Sequence, residues 1–328
     1  MQYRLLGRTG VSVSALCFGA MTFGREADAQ TSARLFALCL DAGINFFDCA
    51  DIYADGRSEE ILGELIRGRR EELVITSKVG MPSGPDRNAL GLSRRYIMRQ
   101  VETSLRRLGT DTIDVYFCHT YDDQPHPHET LRALDDLVRQ GKIRYAGVSN
   151  WPAWRTARAL GECERLGLAP IQVVQPMYSL VKRTAEVEIL PMAAAEGLGV
   201  ISYSPLGGGL LSGKYGLGGA KGRLTSNAMY AERYAAAMAE GAAGRFAEYA
   251  RTKGVHPVTL AVAWVKAHPA ITAPIIGARS VEQLEPALAA ADYAMGSAEW
   301  EEIAALTPPV PVATDRDEER TGKGMFPR

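Results

Sequence analysis

The sequence predicts an α/β fold, a TIM (β/α)8 barrel with an N-terminal β-hairpin and a polar C-terminal tail. Eight short apolar runs alternate with eight segments of helical period. Successive units repeat at roughly 30 residues, the length of a strand–crossover–strand element. The 328-residue chain holds a barrel of about 250 residues with room for insertions.

The elements follow in order. Tyr3 to Leu6 and Val11 to Val13 flank the turn-rich Gly7-Arg8-Thr9-Gly10 and read as a hairpin. The barrel strands are read at Ala15–Gly19, Phe46–Asp48, Leu73–Lys78, Asp114–His119, Tyr145–Ser149, Val173–Gln175, Gly199–Tyr203 and Pro274–Ile276. Helical period falls over Thr31–Ala42, Ser58–Ile66, Ser93–Leu108, Pro127–Gln140, Ala153–Leu166, Ala185–Glu196, Ala242–Lys253 and Thr259–Ala267. Gly43, Gly109 and Gly141 each end such a run, and Ser93 stands where an N-cap belongs. The largest insertion is a loop from Ser204 to about Gly241, a length usually reserved for function. The barrel domain is taken as residues 1–307 and the polar tail as 308–328. A doubly wound sheet is disfavoured, because no GxGxxG follows the first strand.

Composition narrows the function. A formal net charge of -1 with no long Lys/Arg run argues against a nucleic-acid partner. No window has the apolar length of a bilayer span, and the amino terminus has no signal-peptide core. Five cysteines without a CxxC pair suit a reducing compartment, so the expected location is cytoplasmic. His126-Pro127-His128 lacks metal-ligand partners and reads as a surface loop, so no metal is expected. Gly208-x4-Gly213-Lys214 approaches a P-loop, yet Tyr215 stands where the magnesium-binding hydroxyl is required.

The chemistry is carried by the strand ends. In a parallel barrel they open on one face, where barrel enzymes react. Here they are Asp48, Lys78, His119, Ser149-Asn150, Gln175, Tyr203-Ser204 and Gly277-Ala278-Arg279. Tyr53 follows shortly after Asp48 and supplies a general acid. A free phenol titrates near ~10, and a neighbouring ammonium lowers that by roughly 1–3 units. Lys78 is the expected ammonium, Asp48 its charge anchor, and His119 the group that orients a substrate oxygen. Phe23, Tyr121 and Trp151, each just past a strand end, are substrate-pocket candidates.

Four separated motifs match a known family in register. Gly43-Ile44-Asn45-Phe46-Phe47-Asp48-Cys49-Ala50-Asp51-Ile52-Tyr53 resembles the aldo-keto reductase segment that carries the family's Asp and Tyr. Ile75-Thr76-Ser77-Lys78 and Asp114-Val115-Tyr116-Phe117-Cys118-His119 resemble its lysine and histidine strands. Gly141–Asn150 is similar to the segment that ends in its amide-binding Ser-Asn, and Gly91-Leu92-Ser93-Arg94 resembles the branch of bacterial reductases and potassium-channel β subunits. The resemblance implies catalytic Asp48, Tyr53, Lys78 and His119, an NADPH (NADP+) cofactor and a small-molecule carbonyl substrate. It implies that Ser149, Asn150 and Gln175 hold the nicotinamide carboxamide and that Tyr203 stacks on the ring. Ser204, Pro205, Leu206, Gly207 and Gly209 would then run along the pyrophosphate with Lys214 and Arg223. Gly277, Ala278, Arg279 and Gln283 would hold the adenosine end, with Arg279 facing a 2′-phosphate. Pro286-Ala287 replaces the Glu-Asn pair usual in this branch. The alternative implied by the same resemblance is a cofactor-binding regulatory protein like the channel β subunits.

Overall fold

A computed structural model describes residues 1–217 and 222–316. Strands β1 (Tyr3–Leu5) and β2 (Ser12–Ser14) form an antiparallel hairpin. The other eight strands close a barrel of purely parallel pairs. They are β3 (Cys17–Gly19), β4 (Phe46–Asp48), β5 (Val74–Val79), β6 (Ile113–Cys118), β7 (Ile143–Ser149), β8 (Ile171–Gln175), β9 (Gly199–Ser202) and β10 (Ala273–Ile276). Each neighbours the next in sequence, and β10 pairs with β3 to close the ring. The fold class is the one the sequence predicts, with strand ends within about two residues of expectation.

The helices are α1 (Ala29–Asp41), α2 (Arg57–Ile66), α3 (Arg94–Leu108), α4 (Pro127–Arg139), α5 (Ala153–Leu166) and α6 (Ile189–Glu196). They continue with α7 (Arg223–Ser226), α8 (Ala228–Ala239), α9 (Ala242–Thr252), α10 (Pro257–Ala267), α11 (Val281–Leu288) and α12 (Ser297–Ala304). Caps fix several ends. Asp28 accepts from the Thr31 N–H at 2.7 Å, Ser93 accepts from Tyr96, and Gly109 closes α3 in the left-handed region at φ 61°. His126 accepts the His128 N–H at the start of α4, and His128 Nε2 lies 3.0 Å from Glu162; the histidine pair is a helix cap and a hydrogen-bond partner of α5.

The sequence reading needs correction in two places. The long insertion is not a plain loop: α7 and α8 occupy much of it, and α8 is alanine-rich, which favours a helix without any strong apolar stripe. Helices α11 and α12 also lie outside the predicted list, α11 because it carries an interior Pro286. Residues 308–316 are without helix or strand, and the remainder of the expected tail lies outside the described residues.

Apolar residues bury in two layers. Leu6, Val13, Cys17, Phe46, Val74, Val115, Phe117, Val173, Ile201 and Ala273 fill the barrel, the hairpin's Leu6 and Val13 closing its lower end. A larger shell packs the outer strand faces against the helices. No helix among the described residues is long and apolar enough to cross a membrane.

Candidate active site

Strand alternation brings the polar residues together. Successive side chains point to opposite faces, so every second residue after an inward one is inward. Phe46 faces the barrel core, and two residues on lies Asp48. Val74 leads in the same way to Thr76 and Lys78, Val115 and Phe117 to His119, Val173 to Gln175, and Ile201 to Tyr203. All these inward positions emerge at the carboxyl ends of their strands. The outward set, including Ile75 and Tyr116, packs into the helical shell.

Lys78 is fully buried, and its three donors are all used. It donates to Asp48 Oδ2 at 2.6 Å, to the Cys49 carbonyl at 2.7 Å and to Tyr53 Oη at 3.3 Å. Asp48 is held from two further sides: Thr76 donates to Oδ1 at 2.7 Å and Gln175 Nε2 donates to the same oxygen at 2.8 Å. Tyr53 opens a tight turn over Tyr53–Gly56. Its ring stands edge-on to His119, centroids 6.1 Å apart.

A hydrogen-bond circuit continues round the rim. Ser149 donates to the Gln175 carbonyl at 2.9 Å, and Asn150 Nδ2 donates to Ser149 Oγ and to the His119 carbonyl. Tyr203 donates to Asn150 Oδ1 at 2.6 Å. The strand ends of β4, β5, β6, β7, β8 and the residue after β9 are thereby joined. Gln175 Nε2 is spent on Asp48 and the Ser149 hydroxyl proton on the Gln175 carbonyl, uses the sequence reading did not foresee. Ala54, Asp55, Asn150 and Ser204 hold positive φ without being glycine, all in segments leaving these strand ends. Such backbone persists only where its surroundings over-determine it.

Burial sets the electrostatics. It works against the Lys78 charge, yet Asp48 and Tyr53 hold the ammonium above its ordinary value. Lys78 was expected to bring the Tyr53 phenol down. Instead burial pushes it up to about 12, against the pull of Lys78, because the ammonium's field is shared with Asp48. Burial and then Lys78 push His119 down to about 3, so its imidazole is neutral. Its Nδ1 is buried without a partner. The arrangement is a protonated phenol, a fixed cation behind it and a neutral imidazole beside it. It can protonate an oxygen placed between tyrosine and histidine.

The remaining predicted residues follow β9 and β10 in the chain. After Ser204, Pro205 and Leu206, the turn Gly207–Ser212 holds Gly207, Gly208 and Gly209 in the left-handed region, φ 57°, 67° and 96°. A Cβ on Gly208 would stand 2.9 Å from the Tyr234 ring, and one on Gly209 would stand 3.3 Å from Lys214 Nζ. The Gly207 and Gly209 N–H groups are spent on the Ser204 and Leu206 carbonyls within the turn, so the group here suited to a phosphate is the Lys214 ammonium beside Gly209. The side chain of Arg223 lies outside the described residues. Beyond β10, Gly277 is exposed, the Ala278 carbonyl accepts from Thr22, and Gln283 Oε1 accepts the Arg279 N–H at 3.2 Å.

The three pocket candidates separate. Phe23 is fully buried against Phe18, centroids 5.6 Å apart, so it belongs to the core and offers no surface to a substrate. Tyr121 is exposed, with Arg155 stacked on its ring at 4.7 Å. Trp151 is half-buried with its indole Nε1 unpartnered.

This site sits inside a recognised sequence family. Residues 15–308 match the family model described as "Aldo/keto reductase family". The chain belongs to that family. "Uncharacterized oxidoreductase YrpG" of Bacillus subtilis (strain 168) is 39% identical over 307 residues, covering 90% of this chain and 92% of that protein. "Probable voltage-gated potassium channel subunit beta" of Arabidopsis thaliana is 36% identical over 310 residues, covering 89% and 92%. "Protein tas" of Escherichia coli (strain K12) is 33% identical over 321 residues, covering 87% and 91%. The chain is thus an oxidoreductase-family protein on a barrel.

Two features of this aldo/keto reductase site escaped the sequence reading. Thr76, an Asp48 donor, lies two residues before Lys78 on the same strand face, and alternation alone would have found it. The Cys49 carbonyl, a backbone acceptor for Lys78, leaves no side-chain signal.

Proposed function

We propose that this chain reduces aldehydes or ketones to alcohols with NADPH, Tyr53 acting as general acid. The observation that carries the reading is the buried Lys78 ammonium held between Asp48 and the Tyr53 hydroxyl. When bound, the dinucleotide supplies a hydride to the carbonyl carbon. The protein's own part is to place and protonate the oxygen. Neutral His119 and the Tyr53 hydroxyl orient it, and Tyr53 donates its proton as alkoxide character develops. A phenol pushed up to about 12 keeps that proton throughout the physiological range and still yields it to the far more basic alkoxide. Lys78 then stabilises the phenolate, and Asp48 keeps Lys78 charged in its dry setting.

Arg279 supports a preference for the phosphorylated dinucleotide, since a guanidinium fork matches a 2′-phosphate. The Lys214 ammonium beside the glycine turn supports a pyrophosphate there. The five buried free thiols suit a reducing, cytoplasmic setting. A panel of aldehydes and ketones, followed by NADPH absorbance with NADH in parallel, tests the reading. Tyr53→Phe is expected to lose about 10²–10⁴-fold in kcat while NADPH still quenches protein fluorescence. Undiminished turnover in that variant would sink the mechanism.

One relative favours a second reading. The Arabidopsis protein named as a channel β subunit supports a regulatory role on the same fold. Negligible turnover across the panel, with intact NADPH binding, would select it.

A further inference from the structure

Behind the Tyr53 turn, outside the barrel wall, lies a buried polar cluster that the reaction does not use. Asp51 and Glu59 are both buried, at 1% and 0% exposure. Arg107 on α3 donates to Glu59 Oε2 at 3.2 Å and to the Asp51 carbonyl at 3.0 Å. Its guanidinium also fills the space beside Gly56: a Cβ there would stand 2.1 Å from Arg107 Cζ. Glu59 in addition accepts from Ser77, the neighbour of Lys78, at 2.6 Å. Arg107 therefore clamps both ends of the turn bearing Tyr53, and Glu59 ties that clamp to the lysine strand.

The charges do not balance. Two carboxyl groups face one guanidinium, which pairs with Glu59; the Asp51 oxygens make no close hydrogen bond, with only the Gln100 side chain and the Ile52 N–H near them. A buried carboxylate whose cation is already paired with another carboxylate is costly to ionise, so the group takes up a proton instead. The other titratable groups facing it are Tyr96 on α3 and Tyr116 on β6, both neutral phenols pushed up by burial. The Tyr116 hydroxyl is also buried without a partner.

We propose that Asp51, Glu59 and Arg107 form a positioning unit for Tyr53, in which Glu59 takes the guanidinium and Asp51 carries the balancing proton. The inference rests on Tyr53 being the proton donor. When Asp51 loses its proton to solvent, its charge competes with Glu59 for Arg107. The guanidinium is drawn off the Asp51 carbonyl and Gly56, and the Tyr53 hydroxyl leaves its place beside Lys78. Burial and then Glu59 push Asp51 up to about 7, against Gln100, Arg107 and the Ile52 N–H. Tyr53 at about 12 and His119 at about 3 leave the neutral range to Asp51.

The test is the pH profile of kcat with saturating NADPH and a reactive aldehyde. Wild type is expected to lose roughly tenfold between about pH 6 and about pH 8, the drop of one protonated group titrating near neutrality. Asp51→Asn, which cannot ionise, is expected to abolish that slope. Arg107→Met is expected to lower kcat roughly 10–100-fold with little change in the KM for NADPH, as displacement of a catalytic group does. A flat wild-type profile, or the same slope in Asp51→Asn, overturns the proposal. Infrared difference spectra of wild type against Asp51→Asn provide a readout free of turnover. A protonated-carboxyl band at about pH 6 that disappears by about pH 8 is expected, and its absence overturns the proposal even if Arg107→Met fails to fold. If the band is present and wild type reduces no carbonyl, the enzymatic reading has failed and the proton assignment has not.

Discussion

At the residue scale, Lys78 carries the strongest constraint. It is a buried cation with Asp48, a backbone carbonyl and a phenol on its three donors. Removing one partner of such a pair strands a charge, at about 3–5 kcal/mol. Lys78→Met should lower stability by that amount in denaturant unfolding and reduce kcat by about 10²–10⁴-fold. The double variant Asp48→Asn/Lys78→Met should regain much of the stability and none of the activity, which separates the two roles. Asp51 predicts a linked effect. Its folded value of about 7 stands above the ~3.9 of an exposed aspartate, so between the two the folded state binds a proton the unfolded chain has released. Its contribution is complete below about pH 4 and lost as pH rises through about 7. Unfolding free energies measured across that window should fall more steeply in wild type than in Asp51→Asn.

At the scale of elements, the glycine turn after β9 is shaped by the helix above it. Gly208 combines φ 67° with a Cβ position 2.9 Å from Tyr234, whose ring on α8 is fully buried. Gly208→Ala should impose about 1–3 kcal/mol of strain. Fluorescence titration should show weaker NADPH binding, with a smaller effect on kcat at saturation. Helix α8 itself was missed because its alanine-rich sequence has little apolar periodicity; only Tyr234 and Ala237 are buried. In contrast, α1, α3 and α4 were legible because glycine stops and wide apolar stripes announced them.

At the scale of the whole molecule, the last helix is tied back onto the helical shell. Trp264 of α10 and Trp300 of α12 stack with centroids 5.0 Å apart and exchange indole–carbonyl hydrogen bonds of 3.1 and 3.0 Å. Arg183 reaches the same pair and donates to the Ala304 carbonyl at 3.0 Å. Trp264 is fully buried, so Trp264→Ala should cost about 3–5 kcal/mol and lower the thermal midpoint by several degrees. A scanning-calorimetry midpoint unchanged by that variant would refute this account of the tie between α10 and α12.

The sequence by itself determined the order of the strands and which of their residues face inward, because alternation along a strand is a local property that needs no partner to be known. That was enough to align Asp48, Lys78, His119, Gln175 and Tyr203 on one face and to place Tyr53 beside them. Only the tertiary structure decided what those groups do to one another. Gln175 turns to Asp48 because β4 and β8 face each other across the barrel. Phe23 leaves the predicted pocket because Phe18 and its neighbours close over it. Tyr53 is pushed up rather than down because desolvation sums over every surrounding atom, while the sequence names only the nearest charge. The same sum loads a proton onto Asp51, whose fellow carboxyl Glu59 and cation Arg107 come from two different helices.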